Sequence, residues 1–262
     1  MPKVSYERRG DAALLTIDRP ERRNAVDPET ADLLLDGYRR FEADDEARVL
    51  VLTGAGDAAF CAGADLKSLA EAGSDPAVAE QWLKERPDGP LGFTRLTPSK
   101  PVIAAISGWA LAGGLELALW CDLRVGTETA KLGFPERRWG VPLIDGGTQR
   151  LPRIVGLGRG LDLILSGRIV DADEALSIGL LTEVVAPGKH LERALEMAEG
   201  LAAFPQETML ADRRGAIEGL GMPLSDGLTR EAELGAKVAA TGVAGAARFA
   251  SGEGRGGSGA GV

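Results

Sequence analysis

The chain has 262 residues, 44% hydrophobic and 26% charged, enough to bury a full core in one large domain or in a large domain with an appendage. Its formal net charge of −9 argues against general affinity for nucleic acid, which needs clustered Lys and Arg. Two cysteines in apolar runs, Cys61 and Cys121, and a single histidine, His190, exclude a disulfide framework and a closed Cys/His zinc site.

The first residues, Met1-Pro2-Lys3-Val4-Ser5-Tyr6, carry no apolar stretch of the secretory type, so a cytoplasmic location is expected. Residues 4–8 and 13–17 flank Gly10-Asp11 and predict a hairpin. Arg19-Pro20 opens a loop that also holds Arg22 and Arg23, the clearest basic cluster in the chain. Asp27-Pro28 reads as an N-cap followed by proline at the first helical position, opening a helix to about Phe41. Residues 48–53 contain Val49-Leu50-Val51-Leu52, the continuous apolar run of a strand buried on both faces, and Gly54 and Gly56 end it. The stretch Phe60-Cys61-Ala62-Gly63-Ala64-Asp65-Leu66 follows. Residues 67–98, punctuated by Gly73, Pro76, Pro87, Gly89, Pro90 and Pro98, predict a helix or two with a mobile loop beside a substrate.

Residues 102–121 are about as long as the ~20 apolar residues of a membrane helix. Gly108, Gly113 and Gly114 interrupt them, however, and Glu116 would be costly at bilayer depth. They read better as a strand at 102–106, a glycine turn and a buried helix, so no membrane association is expected. A short strand at 123–125 precedes a Gly- and Pro-rich region, 132–147, that carries Glu136. Helices are expected at 151–157, 161–166, 172–178 and 191–203, with a brief strand at Val184-Val185. From Gln206 to Phe249 the pattern is helical. Strands alternating with helices imply an α/β core over residues 1–200, then a helical region at 201–250. Residues 251–262, mostly Gly with Ser and Ala, are expected to be a disordered tail.

Three segments carry chemistry. In Ala62-Gly63-Ala64-Asp65 and Ala112-Gly113-Gly114-Leu115-Glu116, small residues follow a strand, so bare N–H groups can approach a ligand. Two such donors on one carbonyl would form an oxyanion hole. Tight turns between buried elements would use the same residues. Neither stretch continues as a P-loop or a dinucleotide-binding glycine pattern. Glu116 lies among Leu115, Leu117, Ala118 and Leu119, an apolar setting that raises a carboxyl pKa into the range for proton transfer. Glu136 follows Phe134-Pro135 and precedes Gly146-Gly147-Thr148-Gln149-Arg150-Leu151. His190, next to Lys189 in a loop after Pro187-Gly188, reads as a surface histidine, and the cysteines as small core residues. For Asp65 and Asp122, local hydrogen bonds to the backbone are a sufficient role.

Together these segments resemble the crotonase superfamily, the enoyl-CoA hydratases and their relatives. The likeness is strongest at 60–66, 107–122 and 132–151. Leu165-Ser166-Gly167-Arg168 and Glu174-Ala175-Leu176-Ser177-Ile178-Gly179-Leu180 also fit. The resemblance implies an α/β fold, a spiral of ββα units, with a C-terminal helical region that assembles homotrimers or dimers of trimers. It implies oxyanion N–H groups at Ala64 and Gly113, and a water held and activated by Glu116 and Glu136. The family's Arg-Pro…Asn-Ala loop matches Arg19-Pro20 and Asn24-Ala25, which puts Arg22 and Arg23 near the CoA nucleotide. Ala25, Ala62, Asp65 and Leu66 join them as CoA- or substrate-binding positions. No metal and no cofactor beyond the substrate's own CoA is implied. The implied reaction is syn addition of water to a 2-enoyl-CoA; the alternatives are double-bond isomerisation, dehydration of a polar acyl-CoA, or acyl-CoA binding without catalysis.

One stretch departs from the family pattern. After Glu136, typical hydratases have a glycine-rich, proline-containing turn, and here the chain reads Gly140-Val141-Pro142-Leu143-Ile144-Asp145-Gly146-Gly147. Asp145 is either a turn residue bonding its own backbone or a third carboxylate beside the acyl pocket. The catalytic aspartate of dienoyl-CoA isomerases and of an aryl-CoA dehalogenase falls on Ile144, one place earlier, by ungapped alignment. Arg137, Arg138 and Trp139 are bulky and polar for a simple fatty-acyl site, so Trp139, Ile144 and Asp145 are possible pocket residues.

Overall fold

The computed structural model describes residues 2–71 and 76–252. Residues 72–75 of the expected mobile loop, and residues 253–262 of the expected tail, lie outside the described residues.

The expected hairpin is present: β1 (Val4–Arg9) pairs antiparallel with β2 (Ala12–Ile17) across Gly10-Asp11. The Asp27 carboxylate accepts the Thr30 N–H at 2.8 Å, and α1 (Pro28–Ala43) buries Ala31, Leu34, Tyr38 and Phe41 along one face. Next come β3 (Val49–Gly54), buried throughout, then β4 (Ala59–Cys61), α2 (Leu66–Glu71) and α3 (Pro76–Lys84). Residues 102–121 divide into β5 (Val102–Ile106), β6 (Trp109–Leu111) and α4 (Gly113–Trp120). Among the described residues no helix is long and apolar enough to cross a membrane.

The chain continues through β7 (Leu123–Thr127), β8 (Lys131–Gly133) and a 3-10 turn, Pro135–Trp139, to α5 (Gly147–Val155) and α6 (Leu157–Ser166). After these come β9 (Ile169–Asp171), α7 (Ala172–Ser177), β10 (Glu183–Val185) and α8 (His190–Ala202). One six-stranded sheet has the order β1-β2-β3-β5-β7-β10 and is parallel after the first pair. A second, four-stranded sheet has the order β4-β6-β8-β9. Three times in succession the chain runs along the first sheet and then the second: β3 to β4, β5 to β6, β7 to β8. This is the turn-by-turn winding of the expected ββα spiral.

The second sheet, implied only by the family resemblance, has no signal of its own in the sequence. Its strands are three residues each, too short for an alternating pattern to emerge. What stabilises it is a shared core: Phe60, Ala110 and Leu132 from these strands join Leu50, Leu52 and Ile106 from the first sheet. α4 is buried on every side, as its uniformly apolar sequence requires. Its last residue, Trp120, packs against Phe93 with ring centres 4.3 Å apart and the rings tilted by 46°, and Tyr38 of α1 meets Trp120 edge-on at 5.6 Å.

The chain forms two compact units, residues 1–198 and 199–262. In the second, α9 (Gln206–Gly219) and α10 (Leu224–Lys237) are linked by Arg230 and Glu218 at 2.6 Å, and α11 (Ala239–Ser251) follows.

A Cβ on Gly114 would lie 2.0 Å from the Cys61 carbonyl oxygen, whereas one on Gly200, within α8, would meet open space. Gly114→Ala is therefore expected to destabilise the protein by at least about 1–3 kcal/mol. Gly200→Ala should stabilise it by up to about 1 kcal/mol. Chemical denaturation measures both, and equal stabilities would contradict the packing described.

Candidate active site

After β4 the backbone is pinned to the loop that carries Asn24. The Ala62 N–H donates to the Arg23 carbonyl at 3.0 Å, the Val26 N–H to Gly63 at 2.8 Å, and the Asp65 N–H to Val26 at 2.9 Å. This ladder skips Ala64, whose N–H has no partner among the described residues. Ala112 occupies φ +53, ψ −127, a conformation that costs a non-glycine residue about 1–3 kcal/mol. Its N–H donates to Gly133 at 2.9 Å, and its carbonyl accepts the N–H groups of Leu115 and Glu116 at 2.9 and 3.1 Å. The Gly113 N–H, at the first position of α4, likewise has no partner among the described residues.

The two free N–H groups are close together because Gly63 and Gly113 lack side chains. A Cβ on Gly63 would stand 2.8 Å from the Gly113 nitrogen, and one on Gly113 would stand 3.6 Å from the Ala64 nitrogen. Ala64 and Gly113 line one cavity of about 130 Å³. Its other walls include Leu66, Leu91, Leu143 and Ile144, together with Glu116, Glu136 and Asp145. Ala62 and Asp65 reach the same cavity.

Glu116 is 2% exposed. Its Oε1 accepts the N–H groups of Gly147 at 2.7 Å and Asp145 at 3.0 Å, the turn that opens α5. Burial pushes its pKa up to about 8; the Gly147 N–H opposes that rise, and the charges of Asp145 and Glu136 add to it. Glu136 sits on the 3-10 turn begun by Pro135. Both its oxygens are buried without a hydrogen-bond partner among the described residues, and burial raises its pKa as well. The cavity thus holds one carboxyl group, Glu116, that keeps its proton to about pH 8, and a second, Glu136, whose pKa burial also raises, beside a pair of unengaged N–H donors.

Asp145 does not bond its own backbone. Its Oδ1 accepts the Leu91 N–H at 3.1 Å and the Thr94 hydroxyl, more than fifty residues away in sequence. Burial raises its pKa, while the Thr94 hydrogen bond, the Leu91 N–H and the cations Arg95 and Arg150 pull it back. Leu91, Thr94 and Arg150 were absent from the expected site. The first two lie in a Gly- and Pro-punctuated loop with no periodicity to mark them.

The basic loop divides into two parts. Arg19 is buried: it bridges Asp65 at 3.0 Å and Asp27 at 3.1 Å and bonds the Ala25 carbonyl, so it holds the loop to the cavity wall. The Asn24 side chain fastens the same loop, accepting the Arg19 N–H and donating to Ala55 and Ala59. Arg22 and Arg23 are exposed, with no ion pair among the described residues. They do not line the cavity, nor does the buried Ala25. Trp139 is 67% exposed and also stands outside the cavity. His190 is not the expected surface residue: as the first residue of α8 it is 6% exposed, and its Nδ1 has no partner among the described residues. Burial lowers its pKa.

A family model described as enoyl-CoA hydratase/isomerase matches residues 7–241. The chain belongs to the enoyl-CoA hydratase/isomerase family. This is the crotonase superfamily that its motifs resemble. It is 36% identical over 228 residues to the (E)-benzylidenesuccinyl-CoA hydratase of Thauera aromatica, covering 86% of each chain. It is also 36% identical over 234 residues to the short-chain-enoyl-CoA hydratase of Clostridium acetobutylicum, covering 88% of this chain and 87% of that one. Among solved structures, the enoyl-CoA hydratase of Bacillus anthracis superposes with a TM-score of 0.87 at 32% identity, over 95% of this chain and 96% of that one. The α/β spiral is therefore the family's fold.

The raised pKa of Glu116 has a consequence for stability. The native protein holds this proton to about pH 8, whereas the unfolded chain releases it near 4.5. Between those values folding takes up a proton, so the contribution of Glu116 to stability falls as pH rises. Glu116→Gln keeps an acceptor for Gly147 and Asp145 but does not titrate. Its stability relative to the wild type is expected to increase by roughly 3–5 kcal/mol between pH 4.5 and 8. Urea unfolding across that range measures it; parallel stability–pH curves would contradict the burial of a titrating Glu116.

Proposed function

We propose that this protein hydrates a 2-enoyl-CoA thioester by syn addition of water, as a carbon–oxygen lyase of the enoyl-CoA hydratase type. The observation that carries the reading is the meeting of four groups at one cavity: the unengaged N–H groups of Ala64 and Gly113, and the carboxyls of Glu116 and Glu136. In conjugate addition the water oxygen bonds C3 and negative charge builds on the thioester oxygen. Two preorganised N–H donors strengthen as that charge develops, which lowers the barrier. One carboxylate takes a proton from water, and a protonated carboxyl delivers a proton to C2. A pair that shares one proton serves both needs, and its titration belongs to the pair rather than to either residue.

The family membership and the relatives named as hydratases support hydration of an enoyl-CoA. The choice over isomerisation rests on Glu136, whose two oxygens have no partner among the described residues and are both available to a water opposite Glu116. Arg22 and Arg23, exposed at the rim of the loop that Arg19 anchors, suit the phosphates of CoA. A trimer or a dimer of trimers follows from the family pattern, and Leu220, Met222, Leu224 and Leu228 are exposed apolar residues in the C-terminal unit that such an assembly would cover.

Glu116→Gln and Glu136→Gln are each expected to lower kcat on crotonyl-CoA by about 10²–10⁴-fold while leaving acyl-CoA affinity within a few fold. Undiminished hydration by either variant would overturn the assignment. Acyl-CoA binding by the wild type with no turnover across a panel of enoyl-CoAs would favour a binding protein. In the wild type, kcat/KM should fall above about pH 8, where the pair loses its shared proton. A profile still rising through pH 9 would contradict the shared-proton scheme.

A further inference from the structure

We propose that Asp145 is a positioning residue for Glu116: it clasps the loop carrying Leu91 and Thr94 to the turn that opens α5, so that the carboxyl and the floor of the oxyanion pair move as one unit. This rests on the hydratase reading above.

The clasp uses nearly every polar atom of Asp145. Its N–H donates to Glu116 Oε1 at 3.0 Å, its carbonyl accepts Arg150 Nη1 at 2.9 Å, and its Oδ1 accepts the Leu91 N–H and the Thr94 hydroxyl. Arg150 closes a ring by donating through Nη2 to the Thr94 carbonyl at 2.5 Å. Thr94 is therefore held at its side chain by Asp145 and at its backbone by Arg150. All of these atoms lie in a buried or half-buried setting, where a satisfied polar network is stiff and a broken one is costly.

The second arm of the clasp reaches the oxyanion pair. Leu91 Cδ1 stands 2.6 Å from the point where a Cβ on Gly113 would be, so this side chain packs directly over the residue that offers the second N–H. Displacing the loop would unseat Leu91 from Gly113 and pull the Asp145 N–H away from Glu116 together. The two hydrogen bonds that Oδ1 accepts from the protein give Asp145 a holding role, and the variants below separate it from proton transfer.

Asp145 also acts on Glu116 by its charge. The charged groups around Glu116 are Asp145, Glu136 and Arg150, while Arg95 and Arg150 face Asp145, and the buried Cys61 and Cys121 thiols lie nearby. The Asp145 carboxylate disfavours ionisation of Glu116, so it helps the carboxyl pair keep its shared proton.

The test compares Asp145→Ala, Asp145→Asn, Thr94→Val and Glu116→Gln by steady-state hydration of crotonyl-CoA across pH. Asp145→Ala should lose about 10- to 100-fold in kcat with KM little changed, as for a misplaced catalytic group. Asp145→Asn keeps the Oδ1 acceptor and should recover most of that loss, while the high-pH limb of kcat/KM moves to lower pH because the charge is gone. Thr94→Val, which removes one donor and no charge, should lower kcat less and leave the limb in place. Wild-type kcat in Asp145→Ala, or an unmoved limb in Asp145→Asn, would overturn the proposal. So would Asp145→Asn as inactive as Glu116→Gln, since that marks a catalytic group. The Glu116→Gln arm reports on the hydratase reading alone, so the failure of that reading and the failure of the clasp are distinguishable.

Discussion

The site depends on one close approach between two backbone segments: the turn after β4 and the first turn of α4. A Cβ on Gly63 would reach the Gly113 nitrogen at 2.8 Å, and one on Gly114 would collide with the Cys61 carbonyl at 2.0 Å. Only glycine permits both contacts. Those contacts bring the Ala64 and Gly113 N–H groups to one cavity and leave both without a partner among the described residues. Unpaired donors on half-buried residues are unfavourable on their own, and the strained Ala112 adds to that. The surrounding core sustains the arrangement: Leu115 and Leu117 anchor α4, and Phe60 and Ala110 anchor the strands that lead into the two turns.

The same burial that stabilises the core sets the chemistry of the carboxyls. Glu116 lies on a helix with no solvated face, so its ionised form is disfavoured, and the two N–H groups from the Asp145–Gly147 turn only partly compensate. Glu136 accepts no hydrogen bond from another described residue, and its own N–H and the charge of Arg137 only partly offset its burial. In each, burial disfavours the ionised form, and Glu116, pushed up to about 8, is able to hold or release a proton near neutrality. The Arg19–Asp65–Asp27 cluster shows the opposite solution nearby: buried charges matched at 3.0 and 3.1 Å, which fasten the wall rather than react.

Much of this was legible in the sequence because its causes are local. The glycines at 63, 113 and 114, the apolar neighbours of Glu116, and the N-cap at Asp27 each announce a backbone or electrostatic requirement within a few residues. The continuous run at 49–52 likewise marks a strand buried on both faces. The second sheet was not legible, since three-residue strands carry no period and form through pairing across distant segments. Asp145 was left open for the same reason: its partners Leu91 and Thr94 lie 54 and 51 residues away. His190 was misread because proximity to Pro187-Gly188 and Lys189 suggests exposure, whereas the start of α8 folds it inward. Arg19 looked like its neighbours Arg22 and Arg23, and only the positions of Asp27 and Asp65 separate a structural arginine from exposed ones.

The central claim is that Ala64 and Gly113 direct their N–H groups at one thioester oxygen. Isotope-edited infrared difference spectroscopy of an unreactive acyl-CoA labelled at the thioester carbonyl tests it most directly. Two hydrogen bonds from preorganised donors should lower the carbonyl stretching frequency on binding and narrow the band. A bound ligand whose carbonyl band stays at its solution position would contradict the account.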